Sequence, residues 1–311
     1  STTPFDVKIP LSGRPEAGRV ADRSGLPAPR HGDCGAPAVD PFGALGLGNS
    51  WLEASFQSPL RGNFVLVGPQ ANPDPRVLKV LMQEGAGFEI ASIAELDLLL
   101  SLGVPVGEIF YSNPMKSRAY LEYASAKGVE WYVVDSVEEI VKVQSVKADA
   151  KMYLRIDAPN IGSDWPLAGK FGAHMNDIPE LVEAAVGCKA DLAGVTFHVG
   201  SQCLNPENWR VGMERAKKVF AAMRTAGLNP RLLNLGGGYP VRHVKPIPSI
   251  ETIADVVNRE LSHFGPEIQV IAEPGRYLVS DAGYFICRVI GSATRNGQRW
   301  LYWDAGVFGG V

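Results

Sequence analysis

From Asn63 onward, short apolar runs rich in β-branched and aromatic residues alternate with longer stretches whose apolar residues recur every three or four positions. The first pattern predicts strands and the second amphipathic helices. The strands fall at 64–67 (FVLV), 88–91 (FEIA), 109–112 (IFYS), 130–134 (EWYVV), 151–156 (KMYLRI), 194–199 (GVTFHV), 232–237 (LLNLGG) and 269–273 (QVIAE). Helices are predicted between them at Pro75–Glu84, Ala94–Leu102, Ser117–Lys127, Val137–Val143, Ile178–Val186, Pro206–Ala226 and Ile250–Phe264. Apolar strands that each feed a helix predict a parallel sheet covered by helices. Eight strands with seven intervening helices correspond to an α/β fold of the (β/α)8, TIM-like barrel type. An open doubly wound sheet is the alternative, because periodicity does not count closure.

The two ends of the chain break this pattern. The first 62 residues hold 9 Gly and 8 Pro and follow neither period, so they read as an irregular segment with one helical patch around Ser50–Phe56. After Arg276 the stretch YLVSDAGYFICRVIGSATRNGQRWLYW reads as two strands around a turn at Asn296 and Gly297, the beginning of a β domain. The expected organisation is therefore an irregular segment (1–62), a barrel (63–275) and the start of a truncated β domain (276–311).

Composition narrows the function classes. A chain of 311 residues, 46% hydrophobic and 20% charged, fits an ordinary globular protein. The net charge of −3 argues against a nucleic-acid partner held by bulk charge. No apolar run approaches the roughly 18 residues of a membrane span. The first residues lack a basic start followed by an apolar core, so no signal peptide is expected. Cys34, Cys188, Cys203 and Cys287 lie far apart and form no C-x-x-C pair. No metal site or disulfide framework is expected, and a reducing, cytoplasmic setting fits.

In a parallel α/β fold the chemistry gathers at the carboxyl ends of the strands. There the sequence places Gln70, Ala71 and Asn72 after the first strand, Glu89 on the second and Arg155 on the fifth. The sixth ends in His198, Gly200 and Ser201, the seventh in Gly236, Gly237 and Gly238, and the eighth in Glu273, Pro274, Gly275 and Arg276. Consecutive glycines let backbone N–H groups approach an anion, although a tight turn explains a lone Gly run equally well. Ser201 adds a hydroxyl and Arg276 a positive charge. His198 could stack on a ring, or be a satisfied half-buried histidine. A carboxylate at the end of an apolar strand is costly unless paired, so Glu273 reads as a ligand group or as half of an internal pair with Arg276. Together these residues point to an aromatic phosphate cofactor.

The segments FHVGSQC (197–203), LNLGGGYP (233–240) and AEPGRYLV (272–279) resemble the signatures of the barrel-fold (fold type III) pyridoxal 5′-phosphate (PLP) decarboxylases, which act on ornithine, lysine, arginine or diaminopimelate. ANPDPRVLKVL (71–81), GFEIAS (87–92), IFYSNPMK (109–116), VEWYVVDS (129–136) and DWPLAGKFG (164–172) extend the match over residues 63–311. SNPMK and DWPLAGKFG are more similar to the ornithine/lysine branch than to the diaminopimelate branch, and they count against a related racemase. The resemblance implies that Glu273 pairs with the pyridine nitrogen of PLP and that His198 stacks on its ring. It places Ser201, Gly236, Gly237, Gly238 and Arg276 at the phosphate, Gly275 among the cofactor-binding residues, and Arg155 near the phenolic oxygen. Glu89 stands where the family commonly has Asp. The implied reaction is decarboxylation of a small-molecule basic amino acid to a diamine in polyamine biosynthesis, in a homodimer.

Two departures accompany the resemblance. Gln70 occupies the position of the family's Schiff-base lysine, and an amide nitrogen is not a nucleophilic amine. The chain also stops before the family's C-terminal Cys-Asp element, which reaches across the dimer interface. In the first 62 residues only Thr3-Pro4-Phe5 is similar to the family. A frame-shifted or otherwise defective reading upstream accounts for both the mismatch and Gln70; a selected loss of the lysine is the alternative for Gln70. The second function class left open is a non-catalytic homologue that acts as a regulatory binding protein, similar in kind to the antizyme inhibitors.

Overall fold

Alternation along a strand decides which side chains fill a barrel and which face its helices. In the computed structural model, which describes residues 65–167, 169–243, 245–280 and 286–305, this alternation is visible in two separate apolar clusters. Leu66, Phe110, Val133, Tyr153, Leu232 and Ile271 form the inner cluster, with Trp131 packed against it. Their neighbours in sequence, among them Val65, Val67, Tyr111, Tyr132, Val134, Leu154, Leu233 and Ala272, belong to the larger cluster that includes the helices' apolar faces.

The strands are β1 (Leu66–Val67), β2 (Gly87–Ile90), β3 (Ile109–Tyr111), β4 (Trp131–Val134), β5 (Lys151–Ile156), β7 (Asp191–Phe197), β9 (Leu232–Asn234) and β10 (Gln269–Ile271). They pair in parallel in that order as one eight-stranded sheet. A parallel bridge between Val65 and Ala272, with the Leu66 N–H donating to the Ala272 carbonyl at 2.8 Å, joins the first strand to the last. That contact decides for a barrel over an open sheet.

Among the described residues, seven helices lie between consecutive barrel strands: α1 (Pro75–Gln83), α2 (Ile93–Ser101), α3 (Arg118–Lys127), α4 (Val137–Val146), α5 (Ile178–Gly187), α6 (Glu207–Thr225) and α7 (Ile250–Leu261). Their starts are written in the sequence. Asp74 caps α1 ahead of Pro75, Ser92 and Glu95 form a reciprocal capping box on α2, and Ser117, Ser136 and Ser249 cap α3, α4 and α7. Two glycines let elements approach closely. A Cβ on Gly194 would stand 2.4 Å from the Leu232 carbonyl oxygen, and one on Gly212 2.5 Å from the Phe197 ring.

Three features depart from the sequence reading. Residues 163–165 and 201–203 form a short antiparallel pair, β6 (Ser163–Trp165) and β8 (Ser201–Cys203), where no strand is predicted. The eighth barrel strand ends at Ile271, and Gly275–Val279 is a short helix, α8, rather than part of a strand. His198 lies just beyond β7, which ends at Phe197. The last described stretch is an antiparallel hairpin, β11 (Val289–Arg295) and β12 (Gln298–Trp303), turning through Asn296 (φ 49°) and Gly297 (φ 75°) as the sequence predicts. The irregular segment 1–62 and its helical patch lie outside the described residues.

Candidate active site

The inner face of the barrel turns polar one step beyond its apolar layer. Arg155 follows Tyr153 by two positions, Asn234 follows Leu232, and Glu273 follows Ile271, so all share the inward phase. These ends surround a cavity of about 340 Å³. Of the residues singled out in the sequence, Gln70, Glu89, Arg155, His198, Ser201, Gly238, Glu273, Gly275 and Arg276 line it.

Gly236 and Gly237 are not on that wall. A Cβ on Gly236, whose φ is +65°, would lie 1.9 Å from the Phe197 carbonyl oxygen. One on Gly237 would meet the Glu273 carbonyl oxygen at 2.7 Å and His198 Nε2 at 2.9 Å. Both glycines pack the end of β9 between its neighbours, directly behind His198. Gly238 (φ +103°) combines both roles: it reaches the cavity, and a Cβ there would collide with the Gly200 carbonyl at 2.3 Å.

Two carboxyl groups meet inside the cavity. Glu273 Oε1 accepts from Asn234 Nδ2 at 2.6 Å, and Asn234 Oδ1 accepts from the Gly236 N–H at 2.8 Å. Among the described residues Glu273 forms no ion pair with Arg276, so the internal pair is absent. Glu89 is 8% exposed and accepts from Gln70 Nε2 at 3.2 Å. Burial raises both carboxyl pKa values, and the charge of Glu273 raises Glu89 further. Asn234 and Arg155 act in the opposite sense on Glu273. Both carboxyls are therefore held above the ordinary carboxylate value.

His198 is fixed as a neutral ring. The Gly200 N–H donates to its Nδ1 at 3.0 Å, which leaves the proton on Nε2. Burial, then the nearby Arg155, lowers its pKa to about 3. Arg155 stacks over Phe171 at 5.2 Å, and the next residue, Gly172, donates its N–H to Asp135 at 3.0 Å. Asn160 holds the same loop: its Oδ1 accepts from the Leu167 N–H at 2.5 Å, and its Nδ2 donates to the His198 carbonyl at 3.3 Å.

Asn234, Ser112, Leu167, Phe171 and Tyr239 belong to this site without having been singled out from the sequence. Asn234 left a usable signal, as a polar residue inside an otherwise apolar strand. Lys116, in the SNPMK segment, does not replace the lysine missing at 70. It is fully buried, paired with Glu139 at 2.8 Å, and donates to the Asn113, Pro114 and Val133 carbonyls. Burial lowers its pKa to about 8, against the pull of Glu139.

This donor set suits a phosphorylated pyridine. An ionised carboxylate can hold a ring N–H, a neutral imidazole can take a ring face, and Ser201, Gly238, Gly275 and Arg276 can receive a phosphate. Position 70 is the one that does not suit covalent attachment of an aldehyde cofactor.

Comparison with known proteins agrees with this chemistry. Residues 55–280 match the family described as pyridoxal-dependent decarboxylase, pyridoxal binding domain. The chain is 34% identical over 245 residues to an ornithine decarboxylase of Schizosaccharomyces pombe, covering 78% of this chain and 55% of that one. It is 36% identical over 224 residues to antizyme inhibitor 2 of Xenopus laevis, covering 71% and 49%. Among solved structures, a lysine/ornithine decarboxylase of Vibrio vulnificus complexed with cadaverine superposes with a TM-score of 0.74 at 27% identity, covering 86% of this chain and 70% of that one. The chain thus spans about half the length of these two curated relatives. With the barrel, the cavity and the matched segment in agreement, the chain belongs to the pyridoxal-dependent decarboxylase family, within its pyridoxal-binding domain.

Proposed function

We propose that this chain is the cofactor-binding barrel of a decarboxylase for a basic amino acid, ornithine or lysine, and that with Gln70 in place it holds PLP without a covalent bond and turns over little substrate. The observation that carries the reading is the convergence of Glu273, His198, Arg155 and Arg276 on one cavity at the carboxyl ends of the barrel strands. When bound, PLP supplies the electron sink for loss of the α-carboxylate. Glu273, oriented by Asn234, holds the ring nitrogen in its protonated form. His198 supports the ring face without adding charge. Ser201, Gly238, Gly275 and Arg276 hold the phosphate. Gln70 and Glu89 would then be left to meet the 4′ substituent, Gln70 standing where the resemblance puts the family's lysine.

Titration of the purified chain with PLP, followed by absorbance and then by borohydride and mass spectrometry, tests the reading. Saturable binding with no pyridoxyl adduct at residue 70 is expected, and Gln70→Lys should create that adduct. Absence of saturable binding would reject the cofactor site. A reduced adduct on another lysine with turnover intact would place the catalytic amine elsewhere.

The second reading, a non-catalytic regulatory homologue, is favoured by Gln70 and by the similarity to antizyme inhibitor 2. The convergence of Glu273, His198 and Arg276 on the cavity speaks for the first. A homodimer and a cytoplasmic location belong to the proposal as well. Among the described residues no helix is long and apolar enough to cross a membrane.

A further inference from the structure

The group nearest to Gln70 is a second carboxyl, and this sets what the cavity prefers at that wall. Gln70 Nε2 donates to Glu89 Oε1 at 3.2 Å, and Glu89 leans on Glu273. The cavity thus has two carboxyl groups, and Arg155 is the buried cation acting on both. A ligand carrying a single cationic centre, the ring N–H, answers Glu273 alone. It leaves at the Gln70–Glu89 wall either an aldehyde oxygen, which only accepts hydrogen bonds, or a group able to donate. A neutral aldehyde brings no positive charge to answer the second carboxyl, and Gln70 cannot convert it to an imine. A 4′-ammonium donates to Glu89 and adds the second positive charge that the second carboxyl lacks.

We infer that this chain is selective for 4′-amine forms of the vitamin B6 phosphates, pyridoxamine 5′-phosphate above PLP, and that Glu89 is the residue that selects them. The inference rests on the cofactor reading of the cavity given above. It makes Gln70 the companion of Glu89 in an amine-recognition wall. The lost lysine then changes which ligand the pocket takes, in addition to removing a covalent bond.

The test is calorimetric titration of the purified full chain with three probes that share ring and phosphate: pyridoxamine 5′-phosphate (ammonium at 4′), pyridoxine 5′-phosphate (hydroxyl) and PLP (aldehyde). The amine form should bind at least about tenfold more tightly than PLP, a difference of about 1.4 kcal/mol, with the hydroxyl form between them. Glu89→Gln should bring the amine-to-aldehyde ratio close to one while changing PLP affinity much less. Equal affinities for amine and aldehyde, or tighter PLP, overturn the inference and leave the cofactor site standing. A ratio unchanged in a folded Glu89→Gln protein overturns the role of Glu89. If Glu89→Gln does not fold, the order of the three probes on the unaltered chain still decides the selectivity. Failure of all three to bind rejects the cofactor reading itself.

Discussion

The buried carboxyl of Glu89 lies within reach of the Glu273 charge. Folding raises its pKa, so its contribution to stability is full below the ordinary carboxylate range and is lost as the pH climbs through the raised value. Glutamine at 89 is nearly isosteric, accepts from Gln70, donates to Glu273 and carries no titratable proton. Without ligand, Glu89→Gln should therefore melt at a higher temperature than the parent at pH 8, the gap closing as the pH approaches 4. Thermal denaturation across that range checks this, and a variant that melts no higher at pH 8 rejects it. His198 acts on the acid side. Its pKa falls to about 3 on folding, so its contribution is full above its ordinary value near 6.5 and is lost as the pH falls. His198→Asn keeps an acceptor for the Gly200 N–H and should flatten the loss of stability between pH 6.5 and 3. A slope identical to the parent's would assign that loss to other groups.

At the scale of elements, the end of β9 shows why three glycines stand together. Gly236 and Gly227 both have positive φ, yet they differ in what surrounds them. Gly227 follows α6 and a Cβ there meets nothing within 4 Å, whereas a Cβ on Gly236 meets backbone oxygen at 1.9 Å. Gly227→Ala should cost about 1 kcal/mol, from conformation alone. Gly236→Ala adds displacement of a strand end and should cost several kcal/mol. Urea denaturation of both variants separates them, and equal losses would contradict the close packing assigned to β9. The same elements mark how far sequence reading reaches. The eight barrel strands and the helices between them were legible because long apolar runs and 3.6-residue repeats both reflect burial against the same sheet. SDW at 163–165 and SQC at 201–203 carry no such repeat: their pairing is short, polar and partly exposed, and it exists because the loop over the cavity doubles back. The GRYLV segment is apolar enough to pass for a strand, and only the turn after Glu273 makes it a helix. At the site, residues that break an apolar run, such as Glu273 and His198, stood out. Phe171 and Tyr239 did not, because an aromatic residue near a barrel looks the same in sequence whether it faces a helix or a cavity.

At the scale of the whole molecule, the described residues are of two kinds that stability should separate. The barrel has a closed sheet and two apolar clusters. The hairpin of β11 and β12 has its turn and its cross-strand bonds, but Ile290 is 66% exposed, and Val289, Leu301, Tyr302 and Trp303 are also exposed. A two-stranded ribbon with uncovered apolar faces is marginal in water. Its amides should open without unfolding the barrel, because few buried side chains oppose the opening. Hydrogen exchange followed by mass spectrometry on the whole chain should find peptides covering 289–303 exchanged at the earliest times, and peptides covering β5 and β7 protected up to the global limit. If the uncovered faces are met by a second copy of the chain, hairpin protection should increase with protein concentration while that of β5 stays constant. Hairpin protection equal to that of β5 at the lowest concentration would contradict this division. It would mean that the two strands share the cooperative unit of the barrel despite their exposed side chains.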